Sequence, residues 1–176
     1  GVNTGCRDQE LCNLRWDWLK KIDDTLWYFE LPKGSTKNNQ VRPVILNSIA
    51  KSIVESLVGN NPEYVFSYEG QKLGRLNKSA YRKARVRAGK VMPDILKPHV
   101  HSLRHSFGER LTESDVPWDW KQALLGHNPK EVTCRYSHYY KGKVNLLKLL
   151  EFVERLVRYS CLDETQKIGR VTLLKC

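Results

Sequence analysis

Two spacings of apolar residues alternate along this chain and divide it into short elements. Residues 7–14 place Leu11 and Leu14 three apart, which predicts a short helix. Arg15-Trp16-Asp17-Trp18 reads as a first strand, and residues 25–31, rich in β-formers, as a second. Residues 32–40 are polar and turn-like. Residues 41–46 read as a third strand, with Pro43 favouring an edge or a strand start. These three predict a small antiparallel sheet. Asn47 or Ser48 caps a helix running to about Leu57. Residues 63–67 read as a short extended piece.

The second half reads as helical. Residues 77–88 form a strongly basic helix carrying Lys78, Arg82, Lys83, Arg85 and Arg87. Helices follow over 101–112, from Pro117 to near Leu125, and over 130–136. Residues 144–159 carry Leu147, Leu150, Val153, Leu156 and Val157 at helical spacing. A last strand is predicted over 170–175. The expected class is mixed α+β, mainly helical, with a small three-stranded antiparallel sheet packed on the helices. The expected organisation is one domain over residues 1–159 and a tail over 160–176.

Composition narrows the partners. A chain of 176 residues is one ordinary domain. Thirty basic residues against nineteen acidic give a net charge of +11, which suits a polyanion as well as it suits a plain charged coat. The cysteines, Cys6, Cys12, Cys134, Cys161 and Cys176, are odd in number and lack a CxxC spacing. That argues against a disulfide framework and a zinc site, and a reducing cytoplasm is the expected compartment. No signal-peptide pattern or membrane-length apolar run is visible, so no membrane partner is expected. No glycine-rich phosphate loop implies ATP, and no cofactor or metal is expected.

The candidate chemistry lies in three short stretches. Gly5-Cys6-Arg7-Asp8-Gln9-Glu10-Leu11 puts an arginine at a predicted helix start, where the helix end and a guanidinium fork both favour an anion. A surface arginine paired with Glu10 at i+3 is the plain alternative. His101-Ser-Leu-Arg104-His105 sets a histidine and an arginine on one helical face. His105 must then point about 100° away from Arg104. Gly126-His127 is followed nine residues later by Tyr136, within Arg135-Tyr136-Ser137-His138. Arginine forks bind phosphate oxygens in pairs, imidazoles exchange protons near neutral pH, and a tyrosine hydroxyl can attack phosphorus. Together these are parts of a metal-independent phosphoryl-transfer site.

In order and spacing, Gly5-Cys6-Arg7-x-x-Glu10-Leu11, His101-x-Leu103-Arg104-His105 and Leu124-Leu125-Gly126-His127 with Tyr136-Ser137-His138 resemble the three signature boxes of the tyrosine recombinases, the phage-integrase family. The resemblance covers about residues 1–140. It implies one-strand-at-a-time cleavage of double-stranded DNA through a 3′-phosphotyrosine, then rejoining, as in integration and excision. It implies Arg7 and Arg104 as phosphate clamps, with Glu10 orienting Arg7 and His105 in a supporting role. His101 would take the proton of the nucleophile Tyr136, and His127 would donate to the phosphate. Tyr139 and Tyr140 are the nearby competitors of Tyr136. A hairpin lysine would protonate the leaving oxygen; Lys37 is the best match and Lys33 the competitor. Lys78, Arg82, Lys83 and Arg85 are the expected DNA contacts. The resemblance further implies a helical N-terminal DNA clamp ahead of Gly1, a tetramer on DNA and a place on the nucleoid. A type IB topoisomerase-like enzyme and a non-catalytic DNA-binding module of the same fold are the alternatives.

Overall fold

The computed structural model describes residues 1–76, 78–92, 99–127 and 142–160. The predicted helix over 130–136, the strand over 170–175 and Tyr136 itself lie outside the described residues. After a turn at residues 2–4, helix α1 runs Asp8–Cys12. Strands β1 (Leu19–Lys21), β2 (Trp27–Leu31) and β3 (Arg42–Ile45) form an antiparallel sheet in the order β1-β2-β3. In register, Leu19 faces Phe29, and Pro43 faces Glu30. Strand β3 is an edge, where a residue without an N–H is tolerated. Helix α2 (Ser48–Ser56) starts at Asn47, whose side chain accepts from the Ala50 N–H at 2.9 Å.

Strands β4 (Ser67–Tyr68) and β5 (Gln71–Lys72) make a second, two-stranded sheet. Helices α3 (Lys78–Val91), α4 (Ser102–Glu113), α5 (Trp118–Leu125) and α6 (Lys143–Ser160) follow. The sheet separates two apolar clusters. Phe29, Leu31, Val44 and Leu46 pack with Leu11 and Leu14 below and Ala50 and Val54 of α2 beside them. Ile45, on the opposite face, joins Phe107 and Leu111 of α4, Leu124 and Leu125 of α5, and the inner stripe of α6. Burying each such large aliphatic or aromatic side chain contributes about 1.5–3 kcal/mol. Both faces of β3 are therefore buried, and this fixes the strand between the loops that carry the site.

The structure corrects three sequence expectations. Residues 15–18 are not a strand: Trp16–Trp18 is a 3₁₀ turn. The Trp16 N–H goes to the Glu63 carbonyl at 3.1 Å and the Trp18 N–H back to Arg15 at 3.3 Å, so ladder pairing begins only at Leu19. The extended piece expected over 63–67 is bridged to Arg15 at Tyr64, and its last residue, Ser67, opens the β4–β5 hairpin. Its turn residues, Glu69 and Gly70, both have positive φ (50° and 74°). The buried stripe of α6 is Leu146, Leu149, Phe152, Val153 and Leu156, and Leu147 is 40% exposed. This stripe packs within its own chain, and Glu154 caps α2, accepting from the Ser48 N–H at 2.6 Å.

Candidate active site

Arg7 is the N-cap residue of α1. The Glu10 carboxylate accepts the Arg7 backbone N–H at 2.9 Å and pairs with its guanidinium at 2.6 Å. The chain reaches this cap through Gly5, with φ +60°. A Cβ there would lie 2.5 Å from the Phe107 ring, so the loop presses directly on α4.

Arg104, one turn into α4, is 5% exposed. Its guanidinium donates to the carbonyls of Gly5 and Leu125, joining the first loop to the end of α5. Burial, with Arg42 and Arg7 nearby, pushes its pKa down to about 10, so it stays charged at neutral pH. Arg42 of β3 lies in the same cluster. It donates to Glu10 at 2.6 Å and to the Leu124 carbonyl at 2.8 Å. Burial pushes the Glu10 carboxyl up, but Arg42 and Arg7 outweigh it and hold the pKa below the ordinary value. Three guanidinium groups thus surround one carboxylate, which leaves two positive charges in excess. Charge in so sheltered a place calls for an anion.

Helix α5 ends at Gly126, with φ +61°. The Gly126 N–H bonds the Ala123 carbonyl at 3.0 Å and the His127 N–H the Gln122 carbonyl at 3.0 Å, a Schellman stop. His127 emerges exposed from this turn, its Nδ1 2.8 Å from the Gln122 Oε1. The β2–β3 hairpin meets the same turn: Asn38 donates to the Gly126 carbonyl at 3.0 Å. Lys37, its neighbour, is exposed, as is Lys33 further along the loop.

His101 stands at the start of α4, and its ring meets His105 edge-on at 4.8 Å. His105 is exposed, and its ring lies against His101 one turn before it. His99 holds Ser102 at 2.9 Å, as a residue of the helix cap. His101 also borders a cavity of about 430 Å³ lined by Tyr81, Arg82 and Arg85 of the basic helix α3. Arg82 and Lys83 are exposed, and Arg85 is half-buried. Trp120 packs against Phe152, whereas Trp118 is 67% exposed.

Both His101 and His127 are held below the ordinary imidazole pKa. Partial burial is the first cause for each; His105 and then Arg104 follow for His101, and Arg104, Arg7 and Arg42 for His127. Arg104 and Arg7 therefore act on two histidines from separate boxes. Each histidine binds a proton less well folded than unfolded. The DNA-free protein should then lose stability as pH falls below the unfolded imidazole value of about 6.5. Thermal melts between about pH 7.5 and 5.5 check this; Tm should fall, and less steeply in His127→Gln. A flat Tm would contradict it.

The structure brings Arg7, Glu10, His101, Arg104 and His127 to one region and ties the Lys37 loop to it. Tyr136 is outside the described residues. Arg42 and Asn38 escaped the sequence reading. A charge inside the apolar run Val41-Arg42-Pro43-Val44-Ile45 was the available signal, because a buried arginine demands a partner.

Similarities to known proteins agree with this geometry. Residues 1–143 match the model of the phage integrase family. The chain is 29% identical to transposase B of transposon PsiTn554 from Staphylococcus aureus, over 87% of this chain and 25% of that protein. It is 32% identical to tyrosine recombinase XerC of Xylella fastidiosa, over 77% of this chain and 45% of that one. It thus spans a quarter to under a half of these curated relatives. Among solved structures it resembles the Tn1549 transposon integrase in complex with circular intermediate DNA, with TM-score 0.56 and 18% identity, over 84% of this chain and 53% of that one. The family match runs through the segments that carry Arg7, Arg104 and His127, and the chain belongs to the phage integrase family.

Proposed function

We propose that this chain cuts and rejoins DNA at specific sites through a phosphotyrosine at Tyr136. The Tyr136 oxygen attacks a DNA phosphorus and its proton passes to His101. The P–O5′ bond breaks, and Lys37 protonates the leaving 5′ oxygen. The 3′ end stays on the tyrosine until a 5′ hydroxyl reverses the steps. The observation that carries this reading is the excess positive charge of Arg7, Arg42 and Arg104 around Glu10, flanked by His101 and His127. Preorganised donors of this kind stabilise charge developing on phosphate oxygens.

The test uses a library of nicked duplexes, on which a cleaved strand loses the short fragment carrying the new 5′ hydroxyl and cannot be resealed. A covalent protein–DNA band is expected, with similar yield in EDTA, because guanidinium groups already meet the phosphate charge. A strict magnesium requirement for cleavage would point to nuclease chemistry. DNA binding without any covalent band would leave a binding module.

Double-stranded DNA is the proposed partner, and α3 the proposed contact helix through Lys78, Arg82, Lys83 and Arg85. Charge reversal at Arg82 and Lys83 should weaken binding at low salt by at least about tenfold and flatten the log–log salt slope by about 2. Unchanged affinity would remove α3 from the interface. A tetramer on DNA and a place on the nucleoid are part of the same proposal, supported by the family membership. Among the described residues, no helix is long and apolar enough to cross a membrane.

A further inference from the structure

We infer that Arg42 is a positioning residue for strand cleavage: it neutralises Glu10, so that Arg7 and Arg104 keep their charge for the DNA phosphate, and it locks the Gly5 loop against the Gly126-His127 turn. This rests on the reading of the site as a phosphodiester-cleaving centre. Arg42 is itself 3% exposed, so it acts through its neighbours and not on the substrate.

The argument starts from the two oxygens of Glu10. Oε1 takes the Arg7 guanidinium, and Oε2 takes both the Arg7 backbone N–H and Arg42 Nη1. Without Arg42, the buried carboxylate would keep a hydrogen-bonded ion pair with Arg7 alone, Arg104 acting on it only through space. That pair would be neutral, and the positive excess would fall from two charges to one. Arg7 would also be drawn inward, towards its only counter-charge.

The second half of the argument is mechanical. Arg42 Nη2 reaches the Leu124 carbonyl at 2.8 Å and the Gly5 carbonyl at 3.5 Å. Arg104 reaches the Gly5 and Leu125 carbonyls. Two guanidinium groups therefore bridge the same two loops, side by side. The Arg42 stem runs so close to Gly126 that a Cβ there would lie 2.4 Å from Arg42 Cδ. Gly126 thus serves two needs: the left-handed helix stop and the passage of this arginine. Through these contacts one side chain of β3 sets both the phosphate clamp of the first loop and the turn from which His127 emerges.

The test measures inorganic phosphate affinity at low salt by phosphate-dependent thermal shift, in wild type, R42M, R42K and the double variant R42M/E10Q. Losing one unit of excess charge in a partly screened site should cost about tenfold in affinity in R42M. Adding E10Q restores the excess and should recover most of that loss. A purely structural prop predicts the reverse, with the double variant no better than R42M. R42K keeps the charge without the fork, so it should hold phosphate within about threefold of wild type while melting lower. A tenfold loss in R42K overturns the inference even where R42M is too unstable to assay. No phosphate-dependent stabilisation of wild type, or no recovery in R42M/E10Q, overturns it as well. Failure of wild type to attach covalently to DNA would instead sink the cleavage reading, and the two failures are read in separate assays.

Discussion

Tyr136→Phe is expected to remove covalent DNA attachment, a loss on the order of 10⁴-fold or more. Only a hydroxyl is deleted, so folding and non-covalent DNA affinity should stay within about threefold of wild type. The site's arginines and histidines cannot replace it: the arginines are acceptor-free, and a histidine attack would give a phosphoramidate, which acid hydrolyses far faster than a phosphotyrosine. Tyr139 and Tyr140 follow within four residues, so the same substitution should be made at each. Both of those variants should keep forming the adduct.

Arg104→Lys is the second large effect. The positive charge is retained and the fork is lost. One ammonium cannot serve the Gly5 and Leu125 carbonyls together and still meet a phosphate oxygen in fixed geometry. Removing one preorganised donor of this kind costs about 2.7–4 kcal/mol of transition-state stabilisation, or roughly 10²–10³ in rate. Stability should also drop, by about 1–3 kcal/mol, because a buried carbonyl is left without its donor. Single-turnover cleavage and denaturant melts separate the two effects. A cleavage rate within about threefold of wild type would show that Arg104 holds the loops and does not act on the phosphate.

Where local chemistry decides the backbone, the elements were legible in the sequence. Asn47 before α2, Pro117 before α5 and Gly126 after it act within one turn, and the structure has all three at helix ends. The β-rich run before Leu31 became β2 for the same reason. Elsewhere a distant partner decided. Trp16 donates its indole N–H to the Asn61 carbonyl at 2.9 Å, across 45 positions, and residues 15–18 turn instead of extending. The β4–β5 turn uses Glu69 before Gly70, a weaker signal than Asn-Gly or Asp-Gly. In α6 the doublets Leu146-Leu147 and Leu149-Leu150 fit two stripes one residue apart, and packing on Phe107 and Leu124 selects one of them. The site divides the same way. Arg7, Glu10, His101, Arg104 and His127 could be named from their boxes. Arg42 could not, because its place depends on Glu10 and Leu124, which lie 32 and 82 positions away.

Peptide mapping of the trapped protein–DNA adduct decides whether Tyr136 is the nucleophile. After nuclease trimming and proteolysis, mass spectrometry should find a nucleotide on the peptide containing Tyr136, bound through an acid-stable tyrosine phosphodiester. A nucleotide on Tyr139, on Tyr140 or on a histidine, or a cleaved strand with no nucleotide on the protein, would show that Tyr136 is not the nucleophile.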